Sequence, residues 1–367
     1  MGRPKILICS DSLACGGKER QLAQLIRYLA DCEAVEVSLM LMENKVDFGE
    51  LRTLSIPIHF VTRNRKHDIR PFRSIWRLVN RLSPDIIHSW DPLTCFYTLP
   101  VAKLTRTRFI NGIIRDAPSR QSFRQINSVV AKLSIPFSDY VVANSYAGQR
   151  AYNAPESRSA CIHNGFDFSR LDNLSDRTEL RKELSISTKY VIGMVASFSV
   201  FKDYETFLSA AKVVLSRRDD VTFLAVGDGP LLARMKGIVD EQFQSRIKFV
   251  GKRHDVESIV NIFDIGVLSS YNEGLSNAVM EYMALGKAIV VTSTGAPIEL
   301  IPDRRYGILL EPGDILGLAN SIDDLLQDER LRVLMGSNAK ARLRESFDFS
   351  TMCNEYMRLY LQILKVK

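Results

Sequence analysis

The chain has 367 residues, 46% of them apolar and 25% charged, and carries a net charge of +7. That length exceeds one ordinary domain and suits two with cores of their own, and the composition is that of a globular chain rather than a disordered or fibrous one. No run approaches the roughly 20 apolar residues of a membrane-spanning helix, and the opening Met1-Gly-Arg-Pro-Lys-Ile-Leu-Ile is too short in apolar residues for an export signal.

In the first half, short apolar runs alternate with longer amphipathic segments. The runs are Ile6–Cys9, Val35–Leu41, Ile58–Val61, Ile86–His88, Phe109–Ile114, Tyr140–Ala143 and Ala160–His163. Segments of helical character lie between them, such as Gly17–Ala30 and Pro71–Leu82. This alternation predicts a parallel sheet covered by helices on both faces. The stretch Asp172–Lys189 is polar and charge-rich and reads as a linker with a short helix.

The alternation then restarts, with strands expected at Val191–Ala196, Val221–Val226, Ile247–Val250, Ile265–Ser269, Ala288–Val291 and Ile308–Leu310. Helices are expected at Tyr204–Ser216, Leu231–Asp240, Asn277–Leu285 and Ile315–Gln327. After Asp348, Met352, Tyr356, Leu359, Tyr360 and Ile363 recur at helical spacing and no strand follows. The expected class is α/β, with two Rossmann-like doubly wound domains facing across a cleft. The first would span 1–172 and the second 190–347, with 348–367 a final helix crossing back onto the first.

The charge is uneven. Residues 1–175 hold 24 Lys and Arg against 16 Asp and Glu, whereas residues 176–367 hold 25 against 26. A basic first half points to an anionic partner such as a phosphorylated substrate, a membrane surface or nucleic acid. The six cysteines, Cys9, Cys15, Cys32, Cys95, Cys161 and Cys353, are scattered without a C-x-x-C pair. That spacing argues for reduced thiols in a cytoplasm and against a zinc site, so no metal ligands are assigned.

The most informative stretch is Ser269-Ser-Tyr-Asn-Glu-Gly-Leu-Ser-Asn-Ala-Val-Met-Glu281. It places a strand end, a polar loop and a helix start in succession, with Ser276 as the helix cap. Glu273 falls on the loop and Glu281 about one turn into the helix. Backbone amides of Leu275, Ser276 and Asn277 at the helix start suit an anion such as a diphosphate, and the two carboxylates suit neutral hydroxyls. Three further elements sit at strand ends. Lys202 closes the loop of Gly193-Met-Val-Ala-Ser-Phe-Ser-Val-Phe-Lys and would offer a point charge to phosphate. Val226-Gly-Asp-Gly-Pro230 is a tight turn whose glycines, Gly227 and Gly229, permit close backbone approach. Gly16-Gly17 follows the first strand and opens a helix.

At these residues the chain resembles glycosyltransferase family 4, whose members have the GT-B architecture and retain the anomeric configuration. Glu273 and Glu281, seven residues apart by intervening count, match its E-x7-E motif in the context Glu-Gly-Leu-Ser-Asn, and Lys202 matches its phosphate-binding lysine. Gly227-Asp-Gly-Pro, Asn164-Gly-Phe-Asp167 and Gly16-Gly17 also look like family signatures, so the resemblance runs from about residue 5 to about residue 345. It implies that Glu273 contacts the transferred sugar, that Glu281 holds the ribose, and that Lys202 and the amides around Gly274, Leu275, Ser276 and Asn277 stabilise the leaving diphosphate. Backbone near Gly251 to Asp255 would lie against the base. Gly16 and Gly17 would approach donor phosphates or acceptor. A nucleoside-diphosphate sugar, UDP-linked by family frequency, is the implied donor. The acceptor would be a hydroxyl of a lipid-linked saccharide or polysaccharide precursor. No cofactor or essential metal is implied, and the sequence has no Asp-x-Asp motif.

Two positions depart from the family pattern. The arginine usual five residues before the lysine is Ser197 here, with Arg253 and Arg115 as candidate replacements. The histidine often found beside the donor in the first domain is missing after Asn111-Gly-Ile-Ile-Arg115, where Arg115 is the candidate substitute. His88 matches an earlier family position and is given a supporting role.

The stretch Arg63–Arg81 has seven basic residues and one acid, with Arg70, Arg73, Arg77 and Arg81 at helical spacing. It reads either as a solvated face or as a contact for anionic lipid, which would place the protein in the cytoplasm, peripheral to the inner membrane face. Competing classes fit less well. A GT-B sugar-nucleotide epimerase needs bridging acid/base groups that the E-x7-E context does not favour. A dinucleotide oxidoreductase needs a G-x-G-x-x-G turn that Cys15-Gly-Gly-Lys-Glu-Arg does not supply. A nucleic-acid binder would show a recognition motif, and none is present, so nucleic acid is not expected as a partner.

Overall fold

The computed structural model describes residues 3–14, 16–48, 56–65, 67–117 and 126–365. The chain divides into two units, one formed by Met1–Gly165 with Phe349–Lys367, the other by Phe166–Asp348. Each is a parallel sheet wrapped by helices. No helix among the described residues is long and apolar enough to cross a membrane. No disulfide joins the described cysteines, and Cys15 lies outside the described residues.

The first unit runs β1 (Lys5–Ser10), α1 (Gly17–Asp31), β2 (Glu36–Leu41), β3 (Ile58–Phe60), α2 (Arg70–Leu82), β4 (Ile86–Ser89), α3 (Pro92–Thr105), β5 (Arg108–Ile114), α4 (Ile126–Ser134), β6 (Tyr140–Ala143), α5 (Tyr146–Ala151) and β7 (Ser159–Cys161). Its seven strands are ordered β3-β2-β1-β4-β5-β6-β7. The period-2 geometry of β1 splits its side chains between two cores. Ile6 and Ile8 face a cluster with Leu22, Leu25, Ile26 and Leu39. Leu7 and Cys9 face the other, with Ile75, Leu78, Val79 and Val101.

The second unit runs α6 (Arg177–Glu183), β8 (Tyr190–Val195), α7 (Tyr204–Arg217), β9 (Val221–Val226), α8 (Leu232–Gly237), β10 (Ile247–Gly251), α9 (Val256–Asn261), β11 (Ile265–Leu268), α10 (Asn277–Ala284), β12 (Ala288–Thr292), α11 (Pro297–Leu300), β13 (Ile308–Leu310), α12 (Ile315–Gln327) and α13 (Glu329–Ser346). Its six strands are ordered β10-β9-β8-β11-β12-β13. The last helix, α14 (Phe349–Lys365), belongs to the first unit, where Met352, Cys353, Tyr356, Leu359, Tyr360 and Ile363 join the core beside α1.

Both sheets reverse their winding at an interior pair of strands, β1 and β4 in the first, β8 and β11 in the second. Crossovers leave such a pair in opposite directions, which opens a crevice at the strands' carboxyl ends, the usual seat of a ligand. The loops that carry Lys202 and Glu273 follow β8 and β11 respectively.

Candidate functional site

The loop between β8 and α7 is fixed at several points. Tyr204 stacks on Phe198 with ring centroids 3.8 Å apart, and its hydroxyl donates to the carbonyls of Ala196 at 2.9 Å and Val226 at 3.0 Å. Asp203 caps α7 by accepting from the Thr206 amide at 3.0 Å. The amide of Asp203 donates to Ser269 O at 3.0 Å and that of Tyr271 to Phe201 O at 2.9 Å, so the loops after β8 and β11 are stitched side by side. This stitching brings the Lys202 ammonium into direct contact with the buried Glu273 carboxylate. Burial pulls the Lys202 ammonium down to about 8, because a cation with little water around it loses solvation.

The turn after β9 packs against the same loop. Gly227 and Gly229 adopt φ of 141° and 155°, and a Cβ on them would stand 1.9 Å from Ala196 O and 2.6 Å from Phe198 O. These glycines therefore let two strand-end loops touch backbone to backbone, with Phe198 N donating to Asp228 O at 3.0 Å. Close approach to neighbouring protein accounts for both glycines. Ser197 is exposed at the tip, and its hydroxyl donates to that of Ser199 at 3.3 Å.

Helix α10 begins where the motif places it, with Ser276 accepting from the Val279 amide. Leu275 and Ser276 are buried and Asn277 is half-buried. Gly274 sits between Glu273 and Leu275 on the same loop. Glu281 is buried on α10 and receives a hydrogen bond from Arg170 at 2.8 Å. Behind it, Tyr282 locks the switch point: the Val195 amide donates to its hydroxyl at 2.8 Å, which donates in turn to Val267 O at 3.1 Å. Lys202, Glu273, the start of α10 and the paired glycine turn thus share the carboxyl-end rim of β8, β9 and β11.

Arg253 lies on the loop after β10. It forms ion pairs with Asp255 at 2.7 Å and Glu183 at 2.8 Å, so its charge is already balanced by two carboxylates. Arg170 was not among the residues expected at the site. It lies 111 positions from Glu281, and no local pattern marks that contact.

In the first unit, Lys18 Nζ reaches Asp11 at 2.8 Å, Glu19 at 3.3 Å and Asp91 at 4.0 Å, beside Gly16 and Gly17 at the β1–β4 switch point. Three acids thus surround one ammonium at this rim, and burial raises the Asp91 carboxyl above its usual range. Glu19 folds back over Gly16, where a Cβ would meet its Oε2 at 2.3 Å. His88 is fully buried, and its Nδ1 pairs with the Tyr360 hydroxyl at 2.8 Å. Burial, reinforced by Arg115, pushes its imidazole down to about 3, so it is neutral at physiological pH. The Arg115 guanidinium lies over the Trp90 ring at 3.7 Å, and its Nε donates to Gly112 O at 2.9 Å. His88 and Arg115 are thereby tied into the aromatic cluster under α14.

Comparison with known proteins matches both units to family models. Residues 15–170 match the model described as Glycosyltransferase Family 4, and residues 189–328 match that described as Glycosyl transferases group 1. The chain belongs to glycosyltransferase family 4. The fold agrees: HepE from Anabaena in complex with UDP-glucose superposes with a TM-score of 0.85 at 24% identity, over 98% of this chain and 99% of that one. Two Rossmann-like domains of parallel sheet make this the GT-B fold.

Curated relatives of this family 4 chain include N-acetyl-alpha-D-glucosaminyl L-malate synthase of Bacillus anthracis, 28% identical over 65% of the chain and 64% of the relative. Another is N,N'-diacetylbacillosaminyl-diphospho-undecaprenol alpha-1,3-N-acetylgalactosaminyltransferase of Campylobacter jejuni, 29% identical over 52% of the chain and 50% of the relative. The chain thus spans less than two thirds of the length of each of these two relatives.

Proposed function

We propose that this chain transfers a sugar, with retention, from a nucleoside-diphosphate sugar to a hydroxyl of a lipid-linked saccharide or polysaccharide precursor. A UDP-sugar is the favoured donor, in keeping with the UDP-glucose held by HepE. The lipid-linked acceptor is in keeping with the undecaprenol-linked substrate in the name of the Campylobacter relative. The carrying observation is the contact of the Lys202 ammonium with the buried Glu273 carboxylate at the β8–β11 switch point, beside the start of α10.

In this reading the donor diphosphate sits at the helix start and against Lys202, and Lys202 exchanges its partner Glu273 for phosphate oxygens. The released Glu273 carboxylate accepts from sugar hydroxyls and faces the positive charge that develops at the anomeric carbon. The anomeric carbon–oxygen bond to the diphosphate breaks as the acceptor oxygen bonds the same face. The acceptor proton passes to the departing phosphate oxygen, and a nucleoside diphosphate leaves. Lys202 and backbone amides supply the electrostatic stabilisation, with no essential metal ion. Glu281 holds the ribose. Gly16, Gly17 and the acid-lined rim around Lys18 are assigned to acceptor hydroxyls. The protein works in the cytoplasm, peripheral to the membrane through the basic face of α2.

The test is transfer by purified protein, with UDP-, GDP- and ADP-sugars offered in turn in the presence of EDTA. Lys202→Ala and Glu273→Ala are each expected to cut kcat at least about 100-fold while the circular-dichroism spectrum is unchanged. Near-normal turnover by either folded variant overturns the assignment.

A further inference from the structure

The contact that sequence reasoning missed has a role open to test. Arg170 sits on the turn Phe168–Leu171, directly after the Asn164-Gly-Phe-Asp167 motif. Asp167 shapes that turn, accepting from the Ser169 amide at 3.0 Å and hydroxyl at 2.7 Å. The segment that follows is tied to α9, where the Ser175 amide donates to the Ser258 hydroxyl at 2.9 Å. The Arg170 guanidinium lies over the Phe166 ring at 4.7 Å. From there it donates to Glu281 at 2.8 Å and pairs directly with Glu257 on α9. The three side chains are 15%, 4% and 11% exposed for Arg170, Glu281 and Glu257, so the cluster is shielded from water.

Two carboxylates this sheltered repel each other with little screening unless a cation lies between them. A single guanidinium between them offsets that repulsion and fixes where each points. Both carboxylates meet the same terminal nitrogen, Nη2, whose two N–H groups can serve one each. The cluster then retains one net negative charge, the condition for accepting from neutral hydroxyls.

We propose that Arg170 is a positioning residue for the nucleotide ribose, holding the Glu281 carboxylate turned toward the ribose hydroxyls. The inference rests on the ribose role given to Glu281 above. Arg170 does not touch the reacting atoms. Its loss therefore weakens the grip on the ribose while the chemistry at the sugar proceeds once donor is bound.

The experiment measures affinity of the full chain for UDP and for 2′,3′-dideoxy-UDP by calorimetry, in wild type, Glu281→Ala, Arg170→Met and Arg170→Lys. Wild type is expected to bind UDP at least about 10-fold more tightly than the dideoxy analogue, as hydrogen bonds to a charged group are strong. Glu281→Ala and Arg170→Met should both lose that preference, with dideoxy affinity little changed, and a protein that combines Glu281→Ala with Arg170→Met should be no worse than either alone. Arg170→Lys should recover part of it. In transfer assays Arg170→Met should raise KM for donor about 10-fold at nearly constant kcat.

An Arg170→Met protein that keeps the full preference for UDP overturns the proposal while leaving the ribose role of Glu281 intact. Equal binding of the two nucleotides by wild type overturns both. If Arg170→Met fails to fold, Arg170→Lys carries the test, and full wild-type preference there sinks the idea equally.

Discussion

Lys202 is held where an ammonium is poorly solvated, and burial draws it down to about 8. The ammonium is charged below that pH and neutral above it, and only the charged form attracts a diphosphate. We therefore expect kcat/KM, which reports the free enzyme, to fall as pH rises through about 8. In Lys202→Arg the guanidinium stays charged, so the falling limb should move beyond pH 10 even if the maximum is lower. A limb unchanged in the arginine variant would assign the titration to another group. The places of Lys202 and Glu273 on their loops and of Glu281 on α10 were legible in the sequence because each stands at a fixed offset from a strand end or a helix cap. Arg170 was not, because its contact with Glu281 depends on how the turn after Asp167 lies against α9 and α10. The packing reason for Gly227 and Gly229 was equally hidden, since a glycine in a sequence does not say whether a ligand or a neighbouring loop comes close.

Among the described elements the strands were legible, most of them because a parallel strand covered on both faces is a short apolar run bounded by polar turns. Helix α13 was not read. Its buried stripe is small, with Met335, Gly336, Ala339 and Leu343 among eighteen mostly polar residues, and Gly336 is pressed against the Gly286 carbonyl. Helix α8 is shorter than its pattern suggested, ending at Gly237 rather than Asp240. Helix α14 should matter greatly to stability. Tyr360 is fully buried and bonds His88, so Tyr360→Ala is expected to cost about 3–5 kcal/mol in urea unfolding. Helix α2 presents Arg73, Arg77 and Arg81 to solvent with Trp76 47% exposed, while Ile75, Leu78 and Val79 face the core. Arg70 at its start is paired with Asp68 at 2.7 Å. Charge reversal at Arg73 and Arg77 should reduce sedimentation with anionic liposomes several-fold and leave transfer to a soluble acceptor unchanged. Equal sedimentation with neutral and anionic vesicles would remove the membrane role.

For the molecule as a whole, the two units are not equivalent in how the chain builds them. The second is one continuous stretch, 166–348, whose first residue pairs with its last segment: the Phe166 amide donates to Phe347 O at 2.8 Å, and Phe166 bridges Asp348. The first is interrupted, and its core is complete only with α14. A fragment of residues 166–348 is therefore expected to fold cooperatively by itself, with a midpoint raised by millimolar UDP through mass action. Residues 1–165 alone should expose the surface that Met352, Tyr356 and Tyr360 cover, and should aggregate or bind hydrophobic dye. A soluble, cooperatively melting 1–165 fragment would show that α14 is dispensable.

The interruption also sets a schedule during synthesis. The first sheet leaves the ribosome before α14 and lacks the part of its cover beside α1 until every residue of the inserted stretch has been translated. The nascent protein therefore finishes its second-encoded half before its first-encoded one. Meanwhile the flank around His88 and Trp90, on which Tyr356 and Tyr360 later pack, is the surface a cellular chaperone would need to guard.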